Sequence, residues 1–222
     1  MGTDNLHHKR KAKAARDLQR HQSRRSSYDK ILIVCEGEKT EPNYFTELVN
    51  YYKLNTANVE IDGRCGSSPK SVLERAEHLY VVEKNKGDAY DRVYCVFDKD
   101  SHETYNETLD KIENKNPPEV YFVAKSVPCF EYWLLLHFEF TTRPFHRTGK
   151  SSIADEVIKE LKKYIPSYKK GDENIFSQLK DQLEFAKANA IRVQNSAKQN
   201  HTDNPSTTIH ELIDYLQNIQ TK

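Results

Sequence analysis

Two apolar runs decide the fold of this chain: ILIVCEGEKTE (residues 31–41) and RVYCVFDKD (residues 92–100). Each opens with a continuous apolar stretch, which is typical of a β-strand covered on both faces. Acidic residues follow, with Glu36 after the first stretch and Asp98 and Asp100 after the second. Because the carboxyl ends of parallel strands lie along one edge of a sheet, where ligands bind, we expect these acids to share a site.

A strand followed by a helix recurs along the chain. Further strands are predicted at residues 58–63 and 120–124. Four such alternations predict an α/β fold, with a parallel sheet of about four strands flanked by helices. After residue 140 the apolar spacing predicts three helices, at residues 151–164, 174–195 and 208–220. Thr40 and Thr208 are predicted to cap the first and last helices of the chain, Thr208 in a capping box with Glu211.

The chain is predicted to have three parts: a basic flexible arm (residues 1–29), an α/β core (30–140) and a helical extension packed on the core (141–222). The net charge is only +1, but the arm is strongly basic. We expect it to contact nucleic-acid phosphates, although a solvated tail is the alternative. The residues assigned to nucleic-acid binding are Lys9, Arg10, Lys11, Arg24, Arg25 and the pair Lys169 and Lys170, for which solvated surface charge is the alternative.

Composition predicts a cytoplasmic protein that does not enter a membrane. No run approaches the ~20 apolar residues of a membrane helix, and no apolar signal region is present at the start. The four cysteines are too widely spaced for a metal knuckle, and Cys35 and Cys95 lie within apolar runs. Such cysteines behave as small buried hydrophobes in a reducing compartment.

The acidic residues predict a metal site for phosphate chemistry. In extended backbone, residues two apart point the same way, so Asp98 and Asp100 can face one cation. Oxygen-only ligands suit Mg²⁺ or Mn²⁺. Glu36 can be a further ligand of this cation or act as a general acid or base. Glu41 lies near enough to be a ligand of a second metal ion. Glu38 is expected to lie too far around the turn.

Two other interpretations of these acids are possible. Acids after a strand are often ordinary loop residues or helix caps, and a single DxD triplet is a weak motif. The pairing of two acid-tipped strands favours a site over this interpretation. A phosphatase of the DxDxT type is disfavoured because His102 occupies the fifth position of the motif.

Four motifs together resemble the RloB family: EGEKTEPNYF (36–45), VFDKD (96–100), SVPCFEYWLLLHFE (126–139) and NPST (204–207). That family is similar to the Toprim fold of topoisomerases, bacterial primases and the nucleases of OLD-type ATPase systems. The resemblance implies that Glu36, Asp98 and Asp100 hold Mg²⁺ and are catalytic.

The resemblance extends to two further metal ligands. A second acid shortly after the first corresponds to Glu41, at a spacing one residue longer than in OLD-type nucleases. An acid after the fourth strand corresponds to Glu131. Glu131 lies in an apolar helix, and a buried charge is costly unless it is paired or metal-bound. A structural ion pair or a neutral acid is therefore an equal alternative for this residue.

The function implied by the resemblance is a Mg²⁺-dependent nuclease in antiviral defence, such as abortive infection, with an RloA-like ATPase partner. The nucleic acid can be DNA or RNA, including transfer RNA. One alternative is a non-catalytic subunit that binds the ATPase or nucleic acid without cutting. Another is an enzyme that processes free nucleotides. The sequence leaves the oligomeric state open.

Overall fold

The computed structural model describes residues 11–13, 15–16, 27–99 and 103–221 of the 222. Predictions for Asp100 and for four arm residues fall outside these ranges, namely Lys9, Arg10, Arg24 and Arg25. Lys11 is exposed in helical backbone. Within the described ranges, no helix has the length and apolar character needed to span a membrane.

A mostly parallel sheet forms the centre of the molecule. In the described chain its strands are β1 (Ile31–Cys35), β2 (Val59–Asp62), β3 (Arg92–Asp98), β4 (Tyr121–Val127) and β5 (Ser206–Thr207). Their order is β2-β1-β3-β4-β5, and β5 alone runs antiparallel to its neighbour. The predicted α/β fold is confirmed. The fifth strand was not predicted, because two residues are too few to carry a periodic signal.

Helices cover both faces of the sheet. They are α1 (Thr40–Tyr51), α2 (Pro69–Asn85), α3 (Tyr105–Glu113), α4 (Phe130–Leu135), α5 (Ile153–Leu161), α6 (Ile175–Leu179), α7 (Leu183–Gln199) and α8 (Ile209–Asn218), with 3₁₀ turns at Lys180–Gln182 and Ile219–Thr221. The prediction of one continuous helix over residues 174–195 is wrong, since a 3₁₀ turn separates α6 from α7. That turn buries no side chain, so no packing holds it in α-helical geometry.

Side chains of β1 alternate between two apolar layers. Ile31 and Ile33 face a large layer built with α1 and α4 to α8, whereas Leu32 and Val34 face a smaller layer built with α2 and α3. Trp133, completely buried, lies in the larger layer. Apolar layers therefore cover both faces of the sheet, so a polar site can lie only at the sheet edges or at the ends of the strands.

Two predicted helix caps are wrong, and the hydroxyls bond elsewhere. Helix α1 begins at Thr40 without a side-chain cap, and Thr40 Oγ1 accepts a hydrogen bond from the Gly171 N–H at 3.0 Å. Thr208 likewise makes no cap, and its Oγ1 accepts from the Lys125 N–H at 2.8 Å. In both cases the threonine hydroxyl accepts from the backbone N–H of a distant segment, and not from an N–H in the first turn of its own helix. Each hydroxyl thereby ties the helical extension to the core.

Candidate functional site

Four carboxylates converge at the carboxyl ends of the parallel strands. Glu36 follows β1, Asp98 ends β3, Glu41 lies in the first turn of α1, and Glu131 lies in the first turn of α4, after β4. All four line one cavity of about 500 Å³. We call this cavity, with all the residues that line it, the carboxylate cavity.

Glu36 and Asp98 are joined directly. The Asp98 backbone N–H donates to Glu36 Oε2 at 3.0 Å, and the Glu36 N–H donates to the Val96 carbonyl at 2.9 Å. The second bond continues the parallel pairing of β1 with β3 beyond the end of β1. The two acid-tipped strands thus meet at their ends, and the Glu36 carboxylate is held in one orientation.

Glu41 is enclosed by the turn that precedes it. Glu41 is only 7% exposed, and its Oε2 packs against Gly37. A Cβ at position 37 would displace the Glu41 carboxylate from this place. Burial, with added repulsion from Glu131 and Glu36, raises the pKa of Glu41 to about 7. The N-terminus of α1 partly compensates the charge.

Glu131 is the most deeply buried acid of the cavity, at 2% exposure. The Tyr168 hydroxyl donates to Glu131 Oε1 at 3.1 Å, and the Lys170 ammonium lies 3.5 Å from the same oxygen. Both partners precede α6, in the helical extension. Glu131 thus has the ion pair that a structural role predicts, and it also lies in the cavity with the other acids.

Negative charge exceeds positive charge in this cavity. Its described lining carries five acidic and two basic side chains, which are Glu36, Glu38, Glu41, Asp98 and Glu131 against Lys39 and Lys170. Glu38 was expected to lie too far away, but it forms part of the wall. Burial, then repulsion from Glu41, Glu131 and Glu36, raises the pKa of Asp98 well above its usual range.

Lys170 is positioned by the residue that follows it. Gly171 has φ +79°, donates to Thr40 Oγ1, and accepts a hydrogen bond at its carbonyl from Asn43 Nδ2 at 3.1 Å. These contacts fasten the loop to the start of α1. Lys169, also predicted to bind nucleic acid, is exposed and does not line the cavity.

Sequence reasoning missed Tyr168, Gly171 and Lys39 as parts of this site. Gly171 and Tyr168 lie about 130 residues from α1, and no local pattern reports that their loop docks there. Lys39 lies within the first acidic motif, but its type and spacing carry no distinctive signal. Only the packing of the extension against α1 identifies them.

The residues of the cavity fit a hard divalent cation by their chemistry. All the acids offer carboxylate oxygens, the donors that Mg²⁺ and Mn²⁺ prefer, and their mutual repulsion would be relieved by a cation. Among the described residues, no three His, Cys, Asp or Glu side chains are already arranged as a ligand set. Asp100, a predicted ligand, lies outside the described residues.

The sheet order and the acids at its carboxyl ends define an α/β protein with a carboxylate site at the strand ends, as expected for a Toprim-like fold. The model of the family described as RloB-like protein matches residues 31–216. The chain therefore belongs to the RloB-like family, as the sequence motifs predicted. No curated protein and no solved structure matches it.

Proposed function

We propose that this protein is a metal-dependent nuclease that hydrolyses phosphodiester bonds at the carboxylate cavity. The observation that supports this most strongly is the convergence of Glu36, Glu41, Asp98 and Glu131 on one cavity whose described lining carries only two lysines. A purely structural cluster would be expected to balance its charges, because an unpaired buried carboxylate is destabilising. A surplus of carboxylates is a property of sites that bind metal ions.

The proposed ligands are Glu36, Glu41, Asp98 and Glu131, together with Asp100. Bound Mg²⁺ or Mn²⁺ would supply Lewis-acid polarisation of the phosphate and a lower pKa for an attacking water. Glu36 is held by the Asp98 N–H, so its orientation is set before substrate arrives. Such preorganisation is what an efficient site requires.

Lys170 is proposed to contact a non-bridging oxygen of the scissile phosphate. Its ammonium is anchored 3.5 Å from Glu131 Oε1, yet its side chain is 58% exposed and can reach a ligand. In the hydrolysis, the water oxygen forms a bond to phosphorus while the bond to the leaving oxygen breaks. The water proton passes to a carboxylate of the cavity, and the leaving oxygen takes up a proton from solvent water.

Family membership supports the wider setting of this proposal. The RloB-like resemblance favours an RloA-like ATPase as partner and a cytoplasmic role in defence against phages and mobile elements. The ATPase would gate a nuclease that is harmful when unregulated. DNA and RNA, including transfer RNA, are both candidate substrates.

The decisive experiment is a cleavage assay. The purified protein, with and without the ATPase, is incubated with plasmid DNA, single-stranded DNA or total RNA in Mg²⁺, Mn²⁺ or EDTA. We expect metal-dependent cleavage that falls at least ~100-fold in Glu36→Gln and in Asp98→Asn, since each removes a charged ligand. Glu107→Gln, which changes an exposed acid on α3, is the control and should cleave normally. Unchanged cleavage in both site variants would end the proposal.

Metal binding can be measured without cleavage. A ligand that binds only the folded state stabilises it by about 2.7 kcal/mol at a concentration 100 times its Kd. We expect Mg²⁺ to raise the free energy of unfolding of the native protein in this way and to have little effect on Asp98→Asn. A protein that binds nucleic acid but gains no stability from either metal would instead be the non-catalytic subunit.

The basic arm is expected to contribute affinity that does not depend on sequence. Deleting residues 1–28 removes eight Lys and Arg side chains, so binding should weaken and its dependence on salt should flatten. Fluorescence anisotropy with a labelled oligonucleotide over a salt series measures both quantities. An unchanged salt slope would show that the arm is only a solvated tail.

A further inference from the structure

The loop between β2 and α2, residues 63–68, is fixed beside the carboxylate cavity. Gly63 packs against the turn that follows β1, since a Cβ placed on it would lie 2.7 Å from the Gly37 carbonyl oxygen. The Cys65 thiol donates a hydrogen bond to the Cys35 carbonyl at 2.9 Å. These contacts hold the loop against the segment that carries the first acids of the cavity.

A buried carboxylate at the end of β2 holds two arginines. Asp62, 2% exposed, accepts at Oδ2 from Arg64 Nη2 at 2.6 Å and from Arg75 Nη2 at 2.9 Å. Its Oδ1 accepts from the Arg64 backbone N–H at 2.9 Å. Burial alone would raise the pKa of Asp62, but hydrogen bonds from Arg75 and Arg64 lower it to about 2. This carboxylate is therefore charged at neutral pH.

The two arginines differ in what they leave available. Arg75, on α2, has a side chain that is only 26% exposed, and its charge alone balances that of Asp62. The Arg64 side chain is 77% exposed. It directs two of its five N–H groups, on Nε and Nη2, to Asp62, and within the described ranges its guanidinium makes no other hydrogen bond. Arg64 thus presents three donors and a surplus positive charge at a fixed place.

We propose that Arg64 binds a phosphate of the nucleic acid beside the scissile one, with Asp62 as its positioning residue. This inference rests on the proposed nuclease function and adds how the substrate strand lies. Strand β2 is the neighbour of β1, at a spacing of about 4.8 Å, so Arg64 stands next to the acids without lining their cavity. Ser67, on the same loop, does line it. The substrate strand crosses the cavity and continues over the end of β2.

The chemistry of Arg64 fits a phosphate. The parallel N–H groups of a guanidinium match two phosphate oxygens, and a side chain already held by an acid loses little freedom when it binds. The acids of the cavity repel a polyanion, and a fixed cation beside them offsets that repulsion and orients the strand. An arginine that only stabilised its loop would instead affect every substrate alike.

Two substrates of different size separate these roles. An oligonucleotide has phosphates on both sides of the scissile one, whereas bis(p-nitrophenyl) phosphate has the scissile phosphate alone. In Arg64→Ala we expect kcat/KM for the oligonucleotide to fall at least ~10-fold and that for the small diester to stay within about 2-fold of native. Equal losses on the two substrates, or no loss on the oligonucleotide, overturn the proposal.

Arg143→Ala is the matched control. Arg143 is likewise an exposed arginine beside an acid, with 62% of its side chain exposed and Nη2 3.3 Å from Glu160 Oε1, and it does not line the carboxylate cavity. It should retain activity on both substrates, and an equal loss there would show a general charge effect and overturn the proposal. Arg64→Lys, which keeps the charge without the planar fork, should lose less than Arg64→Ala. Urea denaturation verifies that each variant is folded.

Binding without cleavage keeps this test independent of the nuclease proposal. In an Asp98→Asn background, fluorescence anisotropy of a labelled oligonucleotide over a salt series gives the affinity and its salt slope. Adding Arg64→Ala should weaken binding at least ~10-fold and reduce the slope by about 0.7–0.9, the value for one phosphate contact, whereas Arg143→Ala should change neither. If this difference appears although the native protein cleaves nothing, the nuclease proposal fails and the Arg64 contact stands. An unchanged slope in Arg64→Ala overturns the contact even if the native protein cleaves.

Discussion

The two ends of strand β1 carry buried charges that are arranged in opposite ways. Lys30, directly before β1, donates from Nζ to Glu83 Oε2 at 2.7 Å and to both Oδ2 and the carbonyl of Asp88 at 2.8 Å. We call these three residues the Lys30 cluster. All three protons of the ammonium are used, and the charge is buried. At the other end, after β1, the carboxylate cavity gathers five acids with two lysines.

This difference separates a structural cluster from the one proposed to be functional. In the Lys30 cluster, fixed hydrogen bonds satisfy the buried cation, so each group depends on the others for folding. In the carboxylate cavity, burial and then repulsion between the acids raise the pKa values of Glu41 and Asp98, so ionising these acids opposes folding. Removing one charge should therefore destabilise the first region and stabilise the second.

The largest expected effect is loss of the cation from the Lys30 cluster. Lys30→Met removes the ammonium that donates to Glu83 Oε2 and Asp88 Oδ2, and breaking a buried ion pair in this way costs about 3–5 kcal/mol. Urea denaturation measures this loss of unfolding free energy. The control is Lys86→Met, because Lys86 also pairs with Glu83 but its side chain is 61% exposed. That variant should lose less than ~1 kcal/mol. Equal losses would contradict the view that burial makes the Lys30 cluster structural.

A smaller effect of opposite sign is expected for Glu41→Gln in the absence of metal. The folded-state pKa of Glu41, about 7, lies above its ordinary value of 4.5. Its contribution to stability is therefore complete below pH ~4.5 and is lost as the pH rises through about 7. Glu41→Gln cannot ionise, so at pH 8 it should be more stable than the native protein by on the order of 2 kcal/mol, with little difference at pH 4.

The difference between variant and native protein is the informative quantity, because His137 titrates in the same interval. Burial lowers the pKa of His137 to about 4. Its stabilising contribution is present above pH ~6.5 and declines as the pH falls towards 4, which is opposite in sign to that of Glu41. The His137 contribution cancels in the comparison. If the difference in unfolding free energy between variant and native protein is constant with pH, ionisation of Glu41 does not destabilise the folded state.

The smallest expected effect is on cleavage, and it tests whether the loop that carries Gly171 positions Lys170, apart from any change in stability. Gly171→Ala and Gly149→Ala each place a side chain at positive φ, +79° and +61°, and should each cost about 1 kcal/mol. A Cβ on Gly171 also lies 3.1 Å from Lys39, whereas one on Gly149 meets nothing within 4 Å. We therefore expect only Gly171→Ala to displace the Lys170 loop and lower the rate of cleavage. Equal rates of cleavage in the two variants would show that this loop does not position Lys170.

Sequence reasoning identified the acids of the cavity better than their surroundings. The sequence predicts Glu36, Glu41, Asp98 and Glu131 as site residues, because a buried strand ending in an acid is a local pattern and the family motifs cover the same residues. The threonine caps were predicted wrongly for a related reason. A hydroxyl before a helix carries a strong local expectation, and nothing local reports that Gly171 or the strand at Lys125 competes for it.

By itself the sequence determined the α/β order of elements, the strands that end in acids and membership of the RloB-like family, because apolar periodicity and motif spacing are written along the chain. Tertiary structure alone decided that Lys170 and Tyr168 reach Glu131 and that Glu41 is enclosed against Gly37. These features join segments far apart in sequence. They depend on which surfaces pack together, and no local pattern contains that information.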